Sequence, residues 1–338
     1  MKINILLPYK EKFDEDKLSS VSITIINNFN HSKFKKQIRI FGRDVKKPAK
    51  PENFIPIKKS LNIFKSKNIN LAQKMCDFIN QDPDQKQLIE IHNRPLLFHY
   101  VTKRLNREFP TNIFFHNDPL NMSGSKTLAE RQLIIRKAGA ILCVSKYIKN
   151  KLLTGFKEIP QNVFVLHNGV DRKIIDFPKK NKEMIFVGRL VQEKGVELFI
   201  NAVEKISEKL PEWKFSIVGA SHLGENGEKS SFANLCSKKF LNIKGKTFFT
   251  GYLSNSAVQK KMQNASVVIV PSLWDEPYGL VVAEAMSNGA AVITSYSGGI
   301  PEVIGSNGVV IKNINQDKLE RSMYILGSSS EKLKKLQE

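Results

Sequence analysis

Apolar positions along the chain fall into short runs of four to seven residues, rich in Val, Ile and Phe, separated by longer stretches in which apolar residues recur every three or four positions. Short runs of that kind suit buried strands, and the longer amphipathic stretches suit helices. In the first half the pattern predicts strands at 2–7, 37–41, 88–92, 112–116, 140–144 and 163–166, with helices at 95–107, 127–138 and 145–153. In the second half it predicts strands at 184–187, 214–218, 247–250, 267–270, 291–294 and 309–311, with helices at 196–209, 258–264 and 280–287. Strands alternating with helices define an α/β chain whose parallel sheets carry helices on both faces. The pattern runs twice, so two doubly wound domains are expected, at 1–170 and 184–338. A polar linker at 171–183 contains Pro178. Ligands of open α/β sheets bind at the carboxyl ends of the strands, and two such domains would face each other across a cleft.

Composition narrows the class. The chain has 338 residues, is 41% hydrophobic and 25% charged, and has no run of about 18 apolar residues that could cross a membrane. Cys76, Cys143 and Cys236 form no CxxC or Cys/His cluster, which excludes a disulfide framework and a zinc site and fits the cytoplasm. The net charge is +21, yet only 10 of the 53 basic residues are Arg. Residues 1–170 hold 30 basic and 14 acidic residues, against 23 and 18 in 171–338. The excess therefore belongs to the first half, where it would suit an anionic acceptor or an anionic membrane surface touched peripherally from the cytoplasmic side. Nucleic acid, the partner a basic protein first suggests, is not expected, because no RRM, KH, zinc-finger or helix-turn-helix pattern is present.

The candidate chemistry sits at predicted strand ends. GxGxxG and Walker sequences are absent, which disfavours a dinucleotide oxidoreductase or a P-loop nucleotidase. After one strand, Gly188 permits a tight exit and Arg189 and Lys194 supply two cations suited to a diphosphate. After another, the turn through Glu276-Pro277 opens a helix near Gly279, and the amides of Tyr278, Gly279 and Leu280 would take a phosphate at the helix N-terminus. Glu276 and Glu284 offer acceptor oxygens at two separated points, suited to paired sugar hydroxyls. Ser297-Gly-Gly-Ile-Pro-Glu302 is a glycine-rich turn that lets backbone approach a ligand. Any of these alone would be an ordinary surface feature; together they outline a site for a nucleoside diphosphate sugar.

The run Glu276-Pro-Tyr-Gly-Leu-Val-Val-Ala-Glu284, with Gly188-Arg189 and Lys194-Gly195, resembles the signature of glycosyltransferase family 4. The resemblance covers nearly the whole chain, since His167-Asn-Gly-Val-Asp171 is similar to the family's crossover into its second domain. It implies a GT-B fold and a retaining transferase that moves a hexosyl unit from a nucleoside diphosphate sugar, with no metal or other cofactor. It also implies that Arg189 and Lys194 bind the diphosphate, Glu276 holds the transferred sugar and Glu284 the ribose. His116 aligns with the family's cleft histidine, which sets it beside Arg189, Lys194 and Glu276 as a catalytic candidate. His92, Arg94, Asn117 and Asp118 are weaker candidates for contact with a glycan or lipid-linked acceptor, such as a lipopolysaccharide precursor of the cell envelope.

Two features depart from the family. Residues 8–20 lack the glycine pair many members carry after the first strand, and a capping box at Ser328 and Glu331 opens only a short helix, so the chain reads as truncated. Asp14-Glu-Asp16 and Asp82-Pro-Asp84 spell DxD but follow no strand-like run, and read as exposed acidic turns without metal. The rival readings are a sugar-nucleotide epimerase or phosphorylase of the same architecture, a basic nucleic-acid-binding protein, and a non-catalytic transferase-like scaffold.

Overall fold

A computed structural model describes residues 1–58, 66–84, 86–172, 180–221 and 230–338. The chain divides into two compact units, Met1–Gly169 and Val170–Glu338. In the first, the described strands are β1 (Lys2–Leu6), β2 (Ile38–Arg43), β3 (Phe54–Ile57), β4 (Gln87–His92), β5 (Thr111–Phe115), β6 (Ile141–Cys143) and β7 (Val163–Val165). All pair in parallel, in the order β3-β2-β1-β4-β5-β6-β7. Its helices are α1 (Ser20–His31), α2 (Lys67–Gln81), α3 (Pro95–Arg104), α4 (Leu128–Lys137) and α5 (Lys146–Leu152).

The second unit has β8 (Asn181–Val187), β9 (Lys214–Val218), β10 (Lys246–Gly251), β11 (Ala265–Val270), β12 (Ala291–Ser295) and β13 (Val309–Ile311). These are also parallel, in the order β10-β9-β8-β11-β12-β13. Its helices are α6 (Val196–Ile206), α7 (Ser231–Leu241), α8 (Asn255–Asn264), α9 (Leu280–Ser287), α10 (Ile300–Ile304), α11 (Gln316–Ser328) and α12 (Ser330–Gln337). In each sheet the strand order reverses beside the first strand, between β1 and β4 and between β8 and β11. Those two switch points are where a doubly wound sheet opens a crevice for ligand.

The strands read as continuous apolar runs because helices cover both faces. Every residue of β11 is buried. Met184, Phe186, Phe215, Ile217, Val267 and Ile269 pack on one face of the second sheet, and Ile185, Val187, Val218, Val268, Val270 and Val292 on the other. Fully burying one such side chain stabilises the fold by about 1.5–3 kcal/mol, so these strands hold the loops at their ends in fixed places.

Several elements differ from the sequence reading. Of the expected linker, residues 173–179 lie outside the described residues, and 181–183 already belong to β8. Helix α1 was not predicted because its sequence, SVSITIINNFNH, is dominated by β-branched residues and Asn, all weak helix formers. Ser19 caps it by accepting from the Ser22 amide, and Val21, Ile25 and Phe29, spaced by four, bury one face. Strand β3 contains Pro56, which argues against a central strand but is tolerated here because β3 lies at the sheet edge. At the other end of the chain Ser329, not Ser328, caps α12 through the Lys332 amide, while the Ser328 hydroxyl turns back to donate to the Tyr324 carbonyl.

Just before β8, the Lys180 ammonium donates to the carbonyls of Gln263 (2.7 Å) and Asn288 (2.9 Å), which close α8 and α9. Burial lowers the Lys180 pKa to about 8. Between pH 8 and the ordinary Lys value the unfolded chain therefore binds more protons than the folded one, and stability rises with pH across that window. Urea unfolding of wild type and Lys180→Met should show wild type gaining relative to the variant as pH rises from about 8 to about 10.5; a constant difference would contradict this.

Candidate functional site

In the second unit, β8 ends at Val187 and the chain runs through Gly188 and Arg189 to a short turn at Gln192–Lys194, while β11 ends at Val270 and leads through Pro271 to Glu276. These segments flank the switch point and are bonded to each other, the Leu273 amide donating to the Glu193 carbonyl at 2.9 Å. Gly195 makes the approach possible. Its φ is +70°, and a Cβ there would lie 2.0 Å from the Pro271 carbonyl oxygen.

The contact brings Lys194 to Glu276 across 82 positions of sequence, Nζ to Oε1 at 2.6 Å. The same Oε1 accepts from the Ser272 hydroxyl at 2.6 Å, and the carboxylate is buried. Among the described residues Glu276 Oε2 accepts no hydrogen bond, so one oxygen is fixed by two donors and the other remains for a ligand hydroxyl. The Lys194 ammonium also stands 5.0 Å from the centre of the Trp274 ring. The glycine turn buttresses the carboxylate segment from beneath. The Gly299 amide donates to the Glu276 carbonyl at 2.7 Å, and Gly298, at φ +54°, lies so close that a Cβ would be 2.2 Å from that oxygen.

Helix α9 begins at Gly279, which offers no side-chain cap, so the first-turn amides are available to an anion. The Tyr278 side chain is buried, and burial, reinforced by the charge of Glu302, raises its phenol pKa. Glu284, one turn into α9, is buried rather than solvated: its Oε1 accepts from Gln259 of α8 at 2.9 Å, and Gln259 in turn accepts from Asn288. Arg189 is half exposed and bonded to Glu193 at 3.0 Å.

In the first unit, His92 closes β4 and His116 follows β5. Both are buried, with His92 Nδ1 2.9 Å from His116 Nε2 and the rings stacked. His92 Nε2 has no hydrogen-bond partner among the described residues, and Glu90 Oε2 lies 3.8 Å from it. The carboxylate favours the proton on that nitrogen, which makes His92 Nδ1 the acceptor and His116 Nε2 the donor and leaves a lone pair on His116 Nδ1. Burial, then the neighbouring His92, pushes the His116 pKa well below its usual value, so the imidazole is neutral near pH 7. A folded-state pKa depressed in this way contributes stability that is present above the unfolded value of about 6.5 and lost as pH falls toward the folded one. Wild type should thus lose more unfolding free energy than His116→Asn between pH 7.5 and pH 5; equal losses would contradict the assignment.

Asn93 holds this corner in shape from a left-handed φ of +58°, its Oδ1 accepting from the amides of His116 (3.3 Å) and Asn117 (3.1 Å). Arg94 donates to the Asn93 carbonyl at 2.7 Å and lines a cavity of about 350 Å³, whereas Asn117 is exposed. Asp118 caps a short turn through the Leu120 amide at 2.9 Å, an N-cap followed by Pro119, and is occupied there. Of the DxD sequences, Asp14 accepts from the Asp16 and Lys47 amides, and Asp82 is not exposed: it pairs with Arg39 and ends α2. Sequence reasoning did not single out Ser272, Trp274, Gln259, Glu90 or Asn93; Trp274, Gln259 and Asn93 act through partners distant in sequence, whereas Ser272 and Glu90 stand four and two positions from Glu276 and His92.

Two parallel α/β units, each with polar groups gathered at its switch point, place the chain in the class of doubly wound two-unit α/β proteins. The chain belongs to the glycosyl transferases group 1 family, whose profile matches residues 168–338. It is 30% identical over 197 residues to an uncharacterized glycosyltransferase of Methanocaldococcus jannaschii, MJ1607, covering 53% of this chain and 48% of that one, so it spans about half of that relative's length. It is 26% identical over 321 residues to spore coat protein SA of Bacillus subtilis, covering 82% of this chain and 83% of that one. In fold it is similar to Anabaena HepE, solved in complex with UDP-glucose, with a TM-score of 0.76 at 16% identity over 100% of this chain and 92% of that one. That likeness confirms the GT-B architecture.

Proposed function

We propose that the protein transfers a hexosyl unit from a nucleoside diphosphate sugar to a hydroxyl of a glycan or lipid-linked acceptor of the cell envelope, with retention of anomeric configuration and without a metal. The observation that carries the reading is the Lys194–Glu276–Ser272 cluster beside the open N-terminus of α9 at the switch point of the second unit. Donor binding by HepE supports a nucleotide-sugar ligand.

In this reading the α9 amides and the cations of Arg189 and Lys194 surround the diphosphate and stabilise the charge that develops as it leaves. Lys194 turns one N–H toward Glu276 and keeps others for phosphate oxygens. Glu276 Oε2 accepts a hydroxyl of the transferred sugar, and Glu284, steadied by Gln259, accepts from the ribose. His116 Nδ1 is an acceptor for a sugar hydroxyl and fixes that hydroxyl's orientation. Lipopolysaccharide precursors are acceptors that the basic first unit would suit, with peripheral attachment to the cytoplasmic face of a membrane. None of the helices among the described residues is long and apolar enough to cross one.

The test is release of nucleoside diphosphate from UDP-, GDP- and ADP-sugars. Wild type should release it from at least one, faster when envelope glycans are added, and Arg189→Ala should be slower. Failure with all three would overturn the reading.

A further inference from the structure

The loop after β1 gathers positive charge around one aromatic ring. The Arg43 guanidinium, at the last residue of β2, lies 5.6 Å from the centre of the Tyr9 ring, and the ammonium of Lys67, the first residue of α2, lies 5.1 Å from it. Among the described residues neither cation has a carboxylate partner, and Arg43 Nε is buried without an acceptor. On the same loop, the Lys12 pKa is lowered by burial, then by Arg43 and Lys17, against the opposing pull of Asp14. Two cations held against one ring, without a carboxylate partner among the described residues, leave a field that an anion would neutralise.

The loop carrying the ring is fixed. Phe13 is buried and stacked on Phe54 at 5.4 Å, its carbonyl accepts from the Ala49 amide, and Asp14 bridges Pro48. The Tyr9 amide donates to Asn68 Oδ1 at 2.8 Å, which ties the loop to the start of α2. Asn68 also lines the cavity of about 350 Å³, together with Ser66, Arg94, Leu96, Asn121 and Ser123. Cations, a hydroxyl-bearing ring and a cavity lined by both polar and apolar side chains thus lie together at the carboxyl end of the first sheet, where ligands of such sheets bind.

We propose that Arg43 and Lys67, both set against Tyr9, form a subsite for a phosphate group carried by the acceptor, with the neighbouring cavity taking the group attached to it. The proposal rests on the transferase reading and specifies its acceptor as a phosphate ester. Arg43 supplies the fork that matches phosphate oxygens, and the Lys67 ammonium supplies further charge. The phosphate could belong to a soluble sugar phosphate or to a lipid headgroup, and the experiment separates the two.

Binding of glucose 6-phosphate is measured by calorimetry with nucleoside diphosphate present, and binding to phosphatidylcholine vesicles with and without phosphatidylglycerol is measured by sedimentation. Wild type should bind at least one probe, and Arg43→Gln/Lys67→Gln should weaken that binding about tenfold or more. Lys103→Gln/Lys137→Gln, which removes the same charge from exposed positions at the helix ends across the sheet, should leave it unchanged. A loss with glucose 6-phosphate assigns the site to a soluble phosphate; a loss with vesicles alone assigns it to a headgroup. Binding of neither probe, or equal binding by wild type and the Arg43/Lys67 variant, overturns the subsite. The thermal shift given by nucleoside diphosphates is read in parallel. If it persists in both proteins while phosphate binding fails, the subsite is wrong and the transferase reading stands; if wild type lacks it, the transferase reading itself fails.

Discussion

Glu276→Gln should lower the rate of sugar transfer about 10²–10³-fold while leaving the fold intact. The expectation follows from the unequal use of the two carboxylate oxygens. Oε1 is held by Lys194 and Ser272, both donors, so in the variant the amide oxygen takes that position and the NH₂ group is forced onto the open side. A donor then stands where an acceptor for the sugar hydroxyl is required, although volume and shape are conserved. The variant also leaves Lys194 without its counter-charge in a largely buried place, so the melting temperature should fall slightly, not collapse. Turnover and melting are measured on the same preparation. Near-normal turnover would remove Glu276 from the site, and gross unfolding would show that its role is structural.

The second large effect is expected at Gly195. Gly195→Ala places a methyl group 2.0 Å from the Pro271 carbonyl oxygen, in a backbone conformation that L side chains rarely adopt. Relieving that contact must separate the segments after β8 and β11, and with them Lys194 from Glu276. A loss of about 2–4 kcal/mol in unfolding free energy is expected, together with loss of turnover. Gly188→Ala is the contrast. Sequence reasoning gave Gly188 the tight exit from the strand, yet its φ is not left-handed and a Cβ there meets nothing closer than the Phe186 ring at 3.4 Å. Denaturant unfolding should find Gly188→Ala within about 1 kcal/mol of wild type; if both variants behaved alike, close packing at the switch point would not be what shapes the site.

The two substitutions show where the sequence was informative and where it was not. Strands such as 214–218 and 267–270 were legible because burial on both faces makes a strand a continuous apolar run. Helix α2 was missed as α1 was, although Leu71, Met75 and Ile79 recur every four residues behind the Ser66 cap; in α1 the residues favour extended backbone and only packing makes a helix. Within the site, Arg189, Lys194, Glu276 and Glu284 could be named because each lies in a local run next to a strand end. That Lys194 and Ser272 share one oxygen of Glu276 could not be read, because it is the direct pairing of β8 with β11, strands far apart in sequence, that brings Lys194 to that carboxylate. The same holds for His92 and His116, which meet through the pairing of β4 with β5. Asp118 is the opposite case. Its role as a cap was written locally, in the Asp-Pro pair, and that role takes it out of the group of candidates for acceptor contact.

The second unit is expected to bind a nucleoside diphosphate sugar through the groups at its switch point. The most direct test is a thermal-shift titration of wild type and Lys194→Ala with UDP-, GDP- and ADP-glucose, since a ligand that binds only the folded state raises its melting temperature by mass action. A concentration-dependent rise with at least one of the three is expected for wild type, and a much smaller rise for the variant. No shift with any of them, or equal shifts in both proteins, would contradict it.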